Sequence, residues 1–136
     1  ARRMGTAALV RSSKFLVTLD FSVPISRIPH AVKSIQGLAR EHGLQVVIIG
    51  HAGDGNLHPM FIYDPADPLQ AQAYRKVERS LGAAMVSMGG TLTGEHGVGL
   101  GKRKYMPTQH GTGLAWMRRV KELFDPNGIL NPGKIF

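Results

Sequence analysis

The sequence contains no cysteine, which removes disulfide frameworks, thiolate metal sites and thiol nucleophiles at once. Any metal must therefore be held by His, Asp or Glu. Aromatic residues make up 7% of the chain, with a single tryptophan, too few for the stacking platforms that single-stranded nucleic acid needs. No apolar run approaches the roughly 20 residues of a membrane span, and no secretory leader pattern is present. The expectation is a soluble, cytoplasmic chain.

What is present is a basic excess, 17 Lys and Arg against 9 Asp and Glu, for a net charge of +8. Such a balance suits small anionic substrates, an acidic protein neighbour or nucleic acid. The cations are scattered: the densest run, Lys102-Arg103-Lys104, holds three, with no aromatic residue interleaved. With 136 residues and 43% hydrophobic content, the chain has the size of one domain with its own core. It opens on Ala1-Arg2-Arg3, which reads as a piece excised from a longer polypeptide.

The alternating run from Thr18 to Val23 predicts a strand ending at Pro24. A helix is expected over 27 to 42, capped by Ser26 and stopped by Gly43, with Ile28, Ala31, Val32, Ile35, Leu38 and Ala39 on one face. Gln45 to Ile49 and residues 59 to 63 read as the arms of a hairpin. A long helix follows over about 67 to 88, with Leu69, Ala73, Tyr74, Val77, Leu81, Ala84 and Met85 at helical spacing. A short strand, Thr91 to Thr93, and a last helix near 113 to 124, using Leu114, Met117, Val120, Leu123 and Phe124, complete the elements. The pattern predicts an α+β fold: an antiparallel sheet with helices packed on one face, ferredoxin-like.

Chemistry concentrates in two glycine-rich segments. His51-Ala-Gly-Asp-Gly-Asn-Leu-His58 places two imidazoles where a hairpin can return them to one point. Divalent Zn, Fe or Mn accepts imidazole nitrogen with carboxylate oxygen, and a site left open to substrate needs about three protein ligands. Glu95 is the candidate third. Asp54 and Asn56, between the histidines, serve turn chemistry or support the ligands. In Thr93-Gly-Glu-His-Gly-Val-Gly the adjacent Glu95 and His96 either point opposite ways from an extended chain or line one cavity from a twisted loop. The lysine-serine ending of a phosphate-binding loop is absent.

Three motifs, HAGDGNLHP at 51 to 59, GGTLTGEHGVGLGK at 89 to 102 and FDPNGILNPGK at 124 to 134, together resemble the FAD-linked oxidase C-terminal domain family. That family includes glycolate oxidase flavoprotein subunits, D-lactate dehydrogenases and D-2-hydroxyglutarate dehydrogenases. The resemblance implies a flavin-dependent 2-hydroxy-acid oxidoreductase, active at full length and inactive as this piece. An N-terminal FAD-binding domain would hold most of the FAD, and this region would cap the flavin and carry metal and substrate. Position by position, it implies His51, His58 and Glu95 as ligands of a divalent metal, His96 as catalytic base and Asn131 in the tail approaching the flavin. Arg3 is implied as the grip on the substrate carboxylate, with Arg2 its neighbour. The implied partners are a small anionic 2-hydroxy acid, the N-terminal FAD domain of the same protein and other oxidase subunits, but no nucleic acid. Thr18 and Met60 depart from the lysine and asparagine of hydroxyglutarate-type members, which favours glycolate or D-lactate. The competing readings are a non-catalytic basic module for RNA or an acidic protein, and a metal-dependent hydrolase.

Overall fold

A computed structural model describes residues 15–136, arranged as an antiparallel sheet with helices. Arg2 and Arg3 lie outside the described residues. The centre of the sheet is β4 (Asn56–Ile62), flanked on one side by β3 (Gln45–His51) and on the other by β1 (Leu16–Thr18) and β2 (Phe21–Ser22).

β1 and β2 are one extended segment in a single register on β4, from Leu16 opposite Ile62 to Ser22 opposite Asn56. The expected continuous strand is broken at Leu19 and Asp20, and Pro59 explains the break. Leu19 donates its N–H to the Pro59 carbonyl at 2.9 Å, but proline has no N–H to return the second bond.

The β3–β4 hairpin is longer than its apolar pattern suggested. It pairs through to His51 opposite Asn56, so both histidines stand in the ladder and only residues 52 to 55 turn. Gly55 closes that turn at φ 73°, where an added Cβ would lie 2.0 Å from the Val23 carbonyl oxygen. No other residue fits so close an approach.

Two helices cover one face. α1 (Ile28–Glu41) follows a 3₁₀ turn over Ile25–Arg27, and α2 is Pro68–Ser87. Ser26 does not cap α1: it sits within the 3₁₀ turn, the N-cap is Arg27 without a side-chain bond, and a proline in the first turn removes one orphan donor instead. Gly43 (φ 66°) does end the helix, with the Leu44 amide returning to the Ala39 carbonyl at 2.8 Å. The Asp67 side chain caps α2 by accepting from the amides of Leu69 and Gln70. Ala31, Ile35 and Ala39 of α1 and Tyr74, Val77, Leu81 and Met85 of α2 join Leu19, Phe21, Leu57 and Phe61 of the sheet in one core. Truncating fully buried Phe61 to alanine would cost ~3–5 kcal/mol. Leu69, expected on the buried face, is exposed in the first turn of α2.

The strand expected at Thr91–Thr93 is a single antiparallel bridge, Thr91 to Ser22. With it, the spatial order is the Thr91 segment, β1/β2, β4 and β3, which is the split βαβ arrangement of a ferredoxin-like fold. Beyond it come a 3₁₀ turn (Arg103–Tyr105), α3 (Met106–His110) and α4 (Gly113–Phe124). α4 forms where its pattern predicts, yet no residue of it is buried. No described helix is long and apolar enough to cross a membrane.

Candidate functional site

Side chains alternate across a strand. Since Leu57 and Phe61 of β4 face the helices, Asn56, His58 and Met60 face the opposite side of the sheet. His51 pairs with Asn56, and Ile49 with His58, so the two histidines are diagonal neighbours on that second face, where Asn56, His58 and Met60 are themselves buried. Their rings lie 5.5 Å apart at 87°.

The third contribution arrives from the glycine-rich loop, and Asp20 is what fixes it. This aspartate lies in the gap between β1 and β2 and is 1% exposed. Its Oδ2 accepts from the amides of Gly94 (2.8 Å), Glu95 (3.0 Å) and His96 (2.9 Å) and from the Thr93 hydroxyl (2.9 Å). The Lys102 ammonium adds a bond to the Asp20 carbonyl at 3.1 Å. Burial alone would raise the Asp20 carboxyl, but the His96 and Glu95 amides, the Thr93 hydroxyl and Lys102 outweigh it and hold it well below the usual carboxylate range. The Thr91 bridge goes no further: the Leu92 amide donates to Gln109 Oε1 at 2.9 Å, and the Gly94, Glu95 and His96 amides turn onto Asp20. Gly94 is required here, because a Cβ would meet Asn56 Oδ1 at 2.5 Å and Ser22 Oγ at 2.7 Å.

With its backbone curled around one oxygen, the loop brings both Glu95 and His96 to the two strand histidines. Glu95 Oε1 stands 3.1 Å from His58 Nε2, 3.4 Å from His51 Nε2 and 3.8 Å from His96 Nε2. The His96 ring stacks on His58, with centroids 5.0 Å apart at 13°. Tetrahedral donors about 2.1 Å from a cation sit about 3.4 Å from one another, which is the spacing of Glu95 to the two strand histidines. The ligand atoms of His51, His58 and Glu95 all lie within 4.8 Å of one another. These residues therefore fit a divalent cation. Glu95 and His96 are half-exposed, leaving the outer side open to a small molecule. Asp20, His58 and His96 form an overlapping compact set, with Asp20 as its buried floor.

Asn131 lies in the exposed tail at φ 48°. The tail meets the glycine loop where the Ile135 amide donates to the Gly99 carbonyl at 3.0 Å. The basic run is not a patch: Lys102 turns inward to Asp20, Arg103 donates to the Gly133 carbonyl and Lys104 pairs with Glu78. Burial pulls the Lys102 ammonium down, against the attraction of Asp20. Asp20 itself is the residue that sequence reasoning missed. Its signal was an acid on a strand between Leu19 and Phe21, where a solvent-facing position and a site-facing one look alike.

A buried carboxylate gathering a glycine loop over two strand histidines defines a candidate metal-binding α+β domain. Residues 1–135 match the family described as FAD linked oxidases, C-terminal domain. The glycolate oxidase subunit GlcD of Bacillus subtilis is 37% identical over the whole chain, which spans 29% of that relative. A mitochondrial D-lactate dehydrogenase [cytochrome] of Arabidopsis thaliana is 38% identical over 85% of the chain and 21% of its own length. A D-2-hydroxyglutarate dehydrogenase of Stutzerimonas stutzeri is 37% identical over 86% of the chain and 26% of its own. The chain belongs to the FAD-linked oxidase C-terminal domain family, and it spans less than a third of these relatives.

Proposed function

We propose that the chain is the metal- and substrate-bearing C-terminal part of a flavin-dependent 2-hydroxy-acid dehydrogenase that oxidises glycolate or D-lactate to the 2-oxo acid. The observation that carries this reading is the convergence of His51, His58 and Glu95 on the sheet face opposite the helices, with His96 stacked beside them. The names of the relatives, a glycolate oxidase subunit, a D-lactate dehydrogenase and a D-2-hydroxyglutarate dehydrogenase, support the substrate class.

His51, His58 and Glu95 would hold the cation, and an N-terminal FAD domain would hold the flavin. When bound, the cation supplies Lewis acidity toward the substrate's hydroxyl and carboxylate oxygens, and the flavin accepts the hydride. His96, half-exposed beside Glu95, takes the hydroxyl proton; imidazole suits that task near neutral pH. Arg3 grips the substrate carboxylate as a planar donor fork. Asn131, in the tail joined to the glycine loop, would help hold the flavin.

Thr18 and Met60 are cross-strand partners, next to Asp20 and His58 on the same face, Thr18 exposed and Met60 buried. Neither offers a cation or an amide to a second carboxylate, which favours a short monocarboxylate. The exposed apolar residues of α4 and the tail, Trp116, Val120, Leu123, Phe124, Ile129 and Leu130, suit docking against the rest of the polypeptide, where further oxidase subunits would also bind. The dispersal of Lys102, Arg103 and Lys104 onto internal partners weighs against a basic RNA-binding module. Flavin reduction by the full-length protein should be faster with glycolate or D-lactate than with D-2-hydroxyglutarate. The reverse ranking in stopped-flow absorbance would overturn the substrate assignment.

A further inference from the structure

We infer that Asp20 is a positioning residue for the metal site: one of its oxygens shapes the Glu95–His96 loop, and the other holds His58 in the tautomer that leaves Nε2 free to ligate. This rests on the metal reading proposed above.

Two buried atoms carry the inference. Asp20 Oδ2 is crowded with donors, yet among the described residues Asp20 Oδ1 is buried without a hydrogen-bond partner, and so is His58 Nδ1. They face each other at 3.7 Å. Asp20 occupies the ladder position opposite His58, between the pairs Thr18–Met60 and Phe21–Leu57, so the facing is built into the strand register. Buried polar atoms are nearly always paired, and these two lie a few tenths of an ångström beyond bonding distance.

A carboxylate can only accept, whereas a neutral imidazole donates from one nitrogen and accepts at the other. One hydrogen bond satisfies both orphans: Nδ1–H donating to Asp20 Oδ1. That bond leaves a lone pair on His58 Nε2, the atom facing Glu95 Oε1 at 3.1 Å. Two acceptors at that distance repel unless a cation lies between them. A ligating histidine whose other nitrogen donates to a carboxylate is a common way to orient the ring and raise its basicity. Here the same carboxylate also sets the third ligand, because the Glu95 amide is one of the donors on Oδ2. The loop and the ring are thus aligned by a single side chain.

Asp20→Asn separates the two tasks. Its amide oxygen still accepts from the loop, but its NH₂ faces His58 Nδ1, which must now accept, moving the ring proton to Nε2. The test uses full-length protein with ¹⁵N-labelled histidine rings at about pH 8, above the usual imidazole range. The tautomer of parent and variants alike is read metal-free in a Glu95→Ala background, where no second acceptor faces Nε2, and Zn²⁺ affinity is read in protein that keeps Glu95. His58 signals are assigned with a His58→Gln control, and Zn²⁺ affinity is measured by chelator competition. The expected result is Nδ1–H in the parent protein, Nε2–H in Asp20→Asn, and Zn²⁺ binding weakened by roughly 10 to 100-fold. Thr93→Val, which removes a loop donor and leaves Oδ1 alone, should keep the parent tautomer. An Nε2–H ring in the parent protein overturns the inference even if Asp20→Asn fails to fold, as does unchanged Zn²⁺ affinity in a folded Asp20→Asn. Absence of Zn²⁺ binding by the parent would instead sink the metal reading, while the tautomer result still decides the Asp20–His58 bond.

Discussion

At the scale of single residues, the site depends on contacts too close to tolerate added atoms. Gly94 packs against Asn56 and Ser22 where a methyl group has no room, so Gly94→Ala should destabilise the fold by ~1–3 kcal/mol, readable as a lower denaturant midpoint. His96 tests a different property. A base is not a ligand, so His96→Ala should keep its metal while substrate-driven flavin reduction slows by roughly 10² to 10⁴. Elemental analysis beside stopped-flow absorbance checks both halves, and loss of metal in this variant would mean that His96 and Glu95 have exchanged roles. The candidate residues were visible in the sequence because histidines flanking a glycine turn and a Glu-His pair between glycines are uncommon patterns. Asp20 was not, because an isolated acid on a strand carries no spacing signal, and only the ladder register puts it opposite His58.

At the scale of elements, the long periodic segments were legible: α1, α2 and α4 form where hydrophobic spacing places them, since a continuous apolar stripe leaves few alternatives. What tertiary bonding decides was not legible. The gap between β1 and β2 comes from a proline across the ladder, and the expected Thr91–Thr93 strand is cut to one bridge, with the Leu92 amide on Gln109 and the amides that follow, from Gly94, on Asp20. The short α3 and the 3₁₀ turn before it lack the length to show a period. The end of α4 is held by Asp125, whose carboxylate accepts from the amides of Ile129 (2.9 Å) and Leu130 (3.0 Å) and pairs with Lys121. Lys121 foremost, with these amides, holds the Asp125 carboxyl below its ordinary value, against the opposing effect of burial. A carboxyl depressed by folding contributes stability that is present above its unfolded pKa, about 3.9, and lost as pH falls through the folded value. The tail amides should accordingly be protected from hydrogen exchange at neutral pH and lose protection below about pH 4. Asp125→Asn should lose that protection at neutral pH. Equal protection factors in the variant would show that the tail is held by something else.

At the scale of the whole molecule, the two faces of the sheet divide the work. One is sealed by α1 and α2 over a core centred on Ile35, Phe61 and Val77; the other carries the polar cluster, buried at Asp20 and His58 and reaching solvent at Glu95 and His96. The apolar surface left on α4 and the tail is what the proposed docking against an N-terminal FAD domain would cover. The central claim is that the polar cluster holds one metal ion and uses it on the substrate. It is tested most directly by metal content, measured beside substrate-driven flavin reduction, in full-length protein and in His51→Ala, His58→Ala and Glu95→Ala. The parent should carry one divalent ion per chain, and each variant should stay folded while losing both the ion and turnover. Variants that keep full activity without a bound ion would contradict the claim and reduce the cluster to a structural clasp between hairpin and loop.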